Sequence, residues 1–509
     1  MKKPRPSPPI DPLDVLDPAR WGLCLAAILD LGLRLYRFWE RYRHVFTSCT
    51  RDTSVNAYLY LRGVLTLERE RNFKNMARRL GQGADGQALQ HFMSTSPWAK
   101  RDAFEQIQAD LGAIPALRQG SIVILDESTD AKAGEHSAGA ARQRNGRLGK
   151  VDVCQVGTYL AYANVAANLW TLIDGELFLP EAWFTPAYAD QRKTCGVPVE
   201  RVFQRKIDLG LQMVERARAN GLPFERVACD AFYGRDREFR AELQAKNVLY
   251  AADVPANTQV YRREPRVGVR RRRHRRGRTP TRWKVVSRQK AHPVSGLARS
   301  KQTTWHHLRL RPTERGWLEA DFAVERVWTI TEVGQVCAEW LVIRRELNGK
   351  CSYTLLNDPP DTPAEVLIAA SCQRYFTERV YEDAKTDLGW AELPMSPASG
   401  RGGPVRQAFK YRAWEHRLAL TALALWFVAE TKWQWAQTYA RDPQLRQQLE
   451  VQVLPALSTA NVCELLRAVL PVPTLTPNDA LRIVIRMLRE RAASTRSRLK
   501  KQINQEASP

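Results

Sequence analysis

The chain has 509 residues, 44% of them hydrophobic, enough for a large core and roughly two to four domains. Its 78 Lys+Arg against 54 Asp+Glu leave a net charge of +24, which points to a polyanionic partner because cations gain affinity by releasing counterions from phosphate. The nine cysteines form no CxxC pair and no cluster with histidine, which argues against a disulfide scaffold and a zinc site, and the longest apolar run, 418–429, is too short to span a bilayer. The sequence predicts a reduced, intracellular, soluble protein. Nucleic acid is the leading partner and an anionic membrane surface the runner-up.

Residues 1–19, rich in proline and followed by no signal-peptide pattern, read as a flexible arm. From 20 to 115 apolar and aromatic residues recur at helical spacing, as in "LRLYRFWERYRHVF" and "YLYLRGVLTLERERNFKNMARRLG", giving a helical N-terminal region. Two readings of it stay open, DNA binding and ordinary core-plus-solvent helices. Residues 116–253 change rhythm. "SIVILD", "VDVCQVGTYLAYA" and "LWTLIDGELFLP" predict three strands, 198–219 a helix, "FERVACD" a strand, "DREFRAELQAK" a helix and "VLYAADV" a strand. That order is the order of a ribonuclease H-like α/β core, a mixed sheet with helices on its faces.

Between 262 and 290 the chain holds fourteen Arg/Lys and one acid, a run that must be solvated or bound to phosphate. Arg270, Arg271, Arg272 and Arg273 are its densest part and are expected to contact DNA backbone without reading bases. "TTWHHLRLR", "ADFAVERVWTI" and "AEWLVIRRE" then predict antiparallel strands, so 254–360 reads as a β-rich basic insertion into the core. Trp283, Trp305, Trp317, Trp328 and Trp340 line it, and most are expected to be core. The core resumes over 361–435 with a helix in "TPAEVLIAASCQRYFTERVYEDAKTDLG", where Thr362 and Glu365 form a capping-box pair and Pro363 takes the first helical position. Residues 436–509 read as a helical, basic C-terminal region.

The segment "VILDESTDAKAGEHSAG" concentrates acids in this basic chain. Asp126 is expected to end the first core strand, and Asp230 the strand beside it. Two carboxylates at neighbouring strand ends repel unless a cation or a proton offsets them, and oxygen donors without cysteine favour Mg²⁺ or Mn²⁺. On the late helix Arg374, Glu378 and Lys385 share one face by spacing, which suits a site for metal and phosphate. A solvent-exposed ion-paired face has the same spacing. Glu382 and Asp383 compete with Glu378 for the third acid, and Glu127, Asp130, Glu135 and His136 read as loop or capping residues.

"DESTDAKAGEHSAGAARQRNGRLGKVDVCQVG" resembles the segment around the first acid of bacterial insertion-sequence transposases of the DDE (Asp-Asp-Glu) superfamily. "ACDAFYG" is similar to their second-acid segment, and "RYFTERVYEDAKTDLGW" to their third-acid helix with its Tyr-x2-Arg-x3-Glu-x6-Lys signature. The resemblance runs from about 40 to 430. It implies that Asp126, Asp230 and Glu378 are the catalytic, metal-binding triad for two Mg²⁺ or Mn²⁺ ions, and that Arg374 and Lys385 contact DNA phosphate near the cut. It also implies double-stranded DNA as the partner (element ends with terminal inverted repeats, and target DNA), no membrane, a homodimer in the synaptic complex, and a bacterial, cytoplasmic, nucleoid-associated setting. Ser371 stands where the signature has tyrosine, so the phosphate contact of that tyrosine is not carried over. The function implied is transposition by metal-dependent cleavage and strand transfer. The alternatives are a non-catalytic DNA-binding descendant and a ribonuclease H-like nuclease that only hydrolyses.

Overall fold

Ile122 to Leu125, an unbroken aliphatic run, is solvent-free in the computed structural model, as a strand covered on both faces requires. The structure describes residues 15–80, 86–132, 135–146, 148–269, 283–313, 316–390 and 410–470, with isolated positions between 481 and 496. Its principal elements begin with helices α1 (Leu31–Tyr42), α2 (Ser54–Thr66), α3 (Gln87–Thr95) and α4 (Lys100–Gly112). The core follows as β1 (Ser121–Ala131), β2 (Ala141–Asn145), β3 (Lys150–Asn164), β4 (Leu169–Phe178), α5 (Lys206–Ala219), β5 (Arg226–Cys229), α6 (Arg237–Ala245) and β6 (Leu249–Asp253).

Antiparallel pairing joins β4 to β3 and β3 to β1, and parallel pairing joins β1 to β5 and β5 to β6. The order β4-β3-β1-β5-β6 is the ribonuclease H-like topology expected from the sequence. Two boundaries move. β1 does not end at Asp126: its parallel partner stops at the pair Leu125↔Cys229, but β3 keeps pairing with it to Ala131↔Cys154. The helix expected from 198 begins only at Lys206, where Asp208 accepts the Arg205 backbone N–H at 3.1 Å. The short polar strand β2 was not expected.

The insertion supplies β7 (His306–Thr313), β8 (Gly316–Ile330), β9 (Val336–Arg345) and β10 (Cys351–Leu356) as an antiparallel meander. β10 pairs with β6 through Thr354↔Asp253, so the meander extends the core sheet to ten strands. Buried polar contacts seal the joint. Arg240 on α6 and the Tyr250 hydroxyl on β6 both donate to Glu339 of β9, at 2.8 and 2.6 Å, and Arg226 forks onto Asp358 at 2.9 and 3.0 Å. The tryptophans meet expectation only in part: Trp305 and Trp340 are half-buried and pack against hydrophobic clusters, whereas Trp283 is 49% and Trp317 41% exposed. Arginines cover the first two, with the Arg345 guanidinium 4.0 Å from the Trp305 ring and that of Arg326 4.9 Å from Trp340. The expected contact of Arg270 to Arg273 with DNA lies outside the described residues.

After β10 the chain enters α7 (Ala364–Ser371), which packs on the insertion end of the sheet, and α8 (Phe376–Glu382), which continues as a π-helical turn, Asp383–Asp387. The expected capping box is not made. Pro363, held extended at ψ 144°, is itself the N-cap, and no side chain bonds the first turn. α9 (Tyr411–Thr438) carries the 418–429 run through the interior against β4, α2 and α4, and α10 (Thr459–Val469) packs on α2. One hydrophobic core runs from Leu31 through the core strands to Leu466, so packing is continuous across positions 115 and 435. Among the described residues no helix is long and apolar enough to cross a membrane.

Candidate active site

The alternation of side chains along β1 sorts its acids. Asp126 and Ser128 face the α8 side of the sheet, where Arg374 from the turn before α8 and Lys385 from its π-helical extension meet them, and Glu127 faces α5, where Lys206 Nζ meets its carboxylate at 2.6 Å. Glu127 is therefore a half-buried ion-pair partner on the opposite face, not a loop acid. Burial raises its pKa, and Lys206 pulls the other way.

Asp230 directly follows β5 and caps the single turn Ala231–Gly234, accepting the backbone N–H groups of Phe232 and Tyr233 at 3.0 and 3.4 Å. Because β1 and β5 run parallel with Leu125 opposite Cys229, the next residue of each chain is a carboxylate at the same end of the sheet. Asp126 has 16% of its side chain exposed. Burial first, then the neighbouring Asp230 charge, push its pKa up to about 7, against the Glu127 backbone N–H that donates to it at 2.7 Å and against Arg374.

The third expected acid arrives from the far side. The chain breaks helix between α7 and α8, and Arg374 sits in that break, not on the helix as its spacing had implied. Its guanidinium nonetheless reaches three carboxylates. Nε donates to Asp253 Oδ2 at 2.9 Å, and the terminal nitrogens lie 3.5 Å from Asp126 Oδ2 and 3.6 Å from Glu378 Oε1. Burial works against this cation, but Asp253 and Asp126 outweigh it and hold its pKa above the usual arginine value. Glu378 is brought to the Asp126 side of the sheet with 61% of its side chain exposed. Glu382 pairs with Arg379 at 2.8 Å, and Asp383 is buried and accepts from Trp170 Nε1 at 2.8 Å. Lys385 Nζ donates to Ser128 Oγ at 2.6 Å and lies 5.3 Å from the Tyr381 ring centroid.

Sequence reasoning missed Asp253, the last residue of β6, whose Oδ1 accepts the Thr354 hydroxyl of β10 at 2.8 Å. Its signal was present: "YAAD" repeats the strand-then-acid pattern of "VILD" and "VACD". Ser371 turns its hydroxyl back to the Ile368 carbonyl at 2.7 Å, and Tyr375 is 45% exposed.

A carboxyl held near neutrality by burial and by a second carboxylate is one that a cation would discharge, and all the donors are oxygens. These residues fit a hard divalent ion. Among the described residues no three His, Cys, Asp or Glu side chains close on one point, and the Arg374 guanidinium stands between Asp126 and Glu378.

Residues 44–316, which include Asp126 and Asp230 and stop short of Glu378, match the DDE superfamily endonuclease family. The chain is 24% identical over 229 residues to a probable transposase for insertion sequence element IS701 from Microchaete diplosiphon, covering 44% of this chain and 55% of that relative. The match thus spans little more than half the relative's length. The cryo-EM structure of a piggyBac transposase synaptic complex with hairpin DNA aligns over 93% of this chain and 84% of its own, at 11% identity and a TM-score of 0.33, too loose a likeness to bear on any residue here.

Proposed function

The chain belongs to the DDE superfamily of endonucleases, and from that premise we propose that it is an insertion-sequence transposase, cutting DNA at its element's ends and joining them to target DNA. The observation that carries this reading is the pairing of Asp126 with Asp230 at one end of adjacent parallel strands, with the Asp126 pKa raised to about 7. The named relative, a probable insertion-sequence transposase, supports the choice of reaction.

Asp126, Asp230 and Glu378 are the residues that would hold two divalent cations, Mg²⁺ or Mn²⁺. When bound, such ions activate the attacking oxygen and stabilise the leaving oxygen of a phosphodiester. Everything else falls to the chain itself. Asp230 is oriented by the two backbone N–H groups it caps, so its free oxygen edge is fixed. Arg374 and Lys385, on the Asp126 face, present cations to phosphate oxygens at the cut. Lys206 ties Glu127 to the opposite face and keeps it from competing as a ligand. The charge of +24 holds the DNA backbone. Hydrolysis and strand transfer are both in-line attacks on phosphorus, by water or by a DNA 3′-OH, so one site serves both. Joining two ends in one event calls for a homodimer.

The test is a strand-transfer assay with full-length protein, Mg²⁺, duplexes carrying the DNA that flanks the coding sequence, and a supercoiled target. Cut ends joined to target are expected. Cutting without joining would make the protein a nuclease only, and binding without cutting a non-catalytic DNA-binding protein.

A further inference from the structure

Arg374 grips the site unevenly. Its Nε is hydrogen-bonded to Asp253 at 2.9 Å, while its two terminal nitrogens make longer ion pairs, 3.5 Å to Asp126 and 3.6 Å to Glu378. The tight end has its own support, since the other oxygen of Asp253 accepts the Thr354 hydroxyl at 2.8 Å from the paired position on β10. Asp253 and Thr354 close the seam between the core sheet and the insertion. The loose end fills the space between two of the acids read above as metal ligands.

We propose that Asp253 is a positioning residue that anchors the Arg374 guanidinium, and that the anchored guanidinium occupies the cation position between Asp126 and Glu378 until DNA is bound. The inference rests on the reading of Asp126 and Glu378 as metal ligands. Like charges exclude one another at this range, so a guanidinium and a divalent cation cannot share Asp126 without repulsion. A metal ion therefore binds the DNA-free protein weakly. Phosphate supplies the guanidinium with a new acceptor and frees both carboxylates, while the Nε bond to Asp253 keeps the side chain at the site. Metal loading is thereby coupled to DNA binding, and the insertion, through Thr354, sets the anchor. The uneven distances decide which end moves: the two longer ion pairs break and the hydrogen bond stays.

The experiment measures Mn²⁺ affinity of the DNA-free, full-length protein by electron paramagnetic resonance of unbound Mn²⁺, which needs no turnover. Arg374→Gln is expected to tighten Mn²⁺ binding on the order of tenfold, by removing the competing charge. Asp253→Asn is expected to weaken it by about tenfold in the wild-type background, because an unanchored guanidinium settles fully on Asp126 and Glu378, but by less than about threefold in the Arg374→Gln background. A purely structural role for Asp253 gives equal losses in both backgrounds and overturns the anchor. Mn²⁺ binding that depends on Asp126 but is unchanged or weakened by Arg374→Gln overturns this inference and leaves the metal-site reading standing. Absence of Mn²⁺ binding in both wild type and Arg374→Gln overturns both. Should Arg374→Gln fail to fold, Arg374→Lys, which cannot span the three acids, takes its place with the same expected sign.

Discussion

Replacing Asp126 by asparagine should stabilise the metal-free protein at neutral and alkaline pH, because the carboxylate is held against its own ionisation. Its pKa moves from 3.8 to about 7 on folding, through burial and the adjacent Asp230 charge. At ~1.4 kcal/mol per unit, the ionised form costs the fold about 4 kcal/mol. The folded value lies above the unfolded one, so the contribution favours the fold fully below about pH 4 and is lost as pH rises through about 7. Between about pH 5 and about pH 8 the difference in unfolding free energy between wild type and Asp126→Asn should shift by about 2.5 kcal/mol in favour of the variant. For a chain of 509 residues at roughly 2 cal/mol/K per residue, that is a relative Tm shift of about 2 to 3 °C. Calorimetry in EDTA buffers across this range reads it. Mn²⁺ or Mg²⁺ at saturating concentration should narrow the gap and, at about pH 6, release close to one proton per site on binding. A wild-type minus variant difference that stays flat with pH would refute the claim that Asp126 and Asp230 are held together in a water-poor site.

Lys206→Met should cost about 3 kcal/mol, because Glu127 is left without its partner with 19% of its side chain exposed, and adding Glu127→Gln should restore most of it, read by denaturant unfolding. Asp383→Ala should cost about 1 to 2 kcal/mol by leaving the Trp170 N–H unpaired, yet keep Mg²⁺-dependent cleavage in a gel assay. Alanine at Arg270 to Arg273 should weaken cognate and random DNA alike and flatten the slope of log affinity against log salt by about 0.9 for each phosphate that is no longer neutralised, measured by fluorescence anisotropy; weakening confined to cognate DNA would mean the segment reads sequence.

The core sheet was legible because its parallel strands carry short apolar runs, "IVIL" and "VAC" among them, and buried parallel strands need apolar residues on both faces. The neighbouring of Asp126 and Asp230 followed from strand order alone. β2 stayed hidden because "ARQRN" is polar after Ala141, and its pairing with β3 is decided by the partner strand, not by its own pattern. The break before α8 was equally silent, since "SCQRY" holds neither glycine nor proline. Yet the break carries Arg374 to Asp253, a partner 121 positions away that no local spacing reveals. The tryptophans misled in part, for a related reason: a β-rich insertion that extends an existing sheet leaves their rings near its surface, partly covered by arginine.

The most direct test of the account is Mg²⁺-dependent cleavage of end DNA by Glu378→Gln beside Glu382→Gln, with DNA binding by both measured in parallel. Glu378 stands within 3.6 Å of the guanidinium that also meets Asp126, whereas Glu382 is paired outward with Arg379. Glu378→Gln is expected to bind DNA like the wild type and not to cut it, and Glu382→Gln to cut at near wild-type rate. A cutting Glu378→Gln with a dead Glu382→Gln would put the third acid one helical turn away and contradict the site described here.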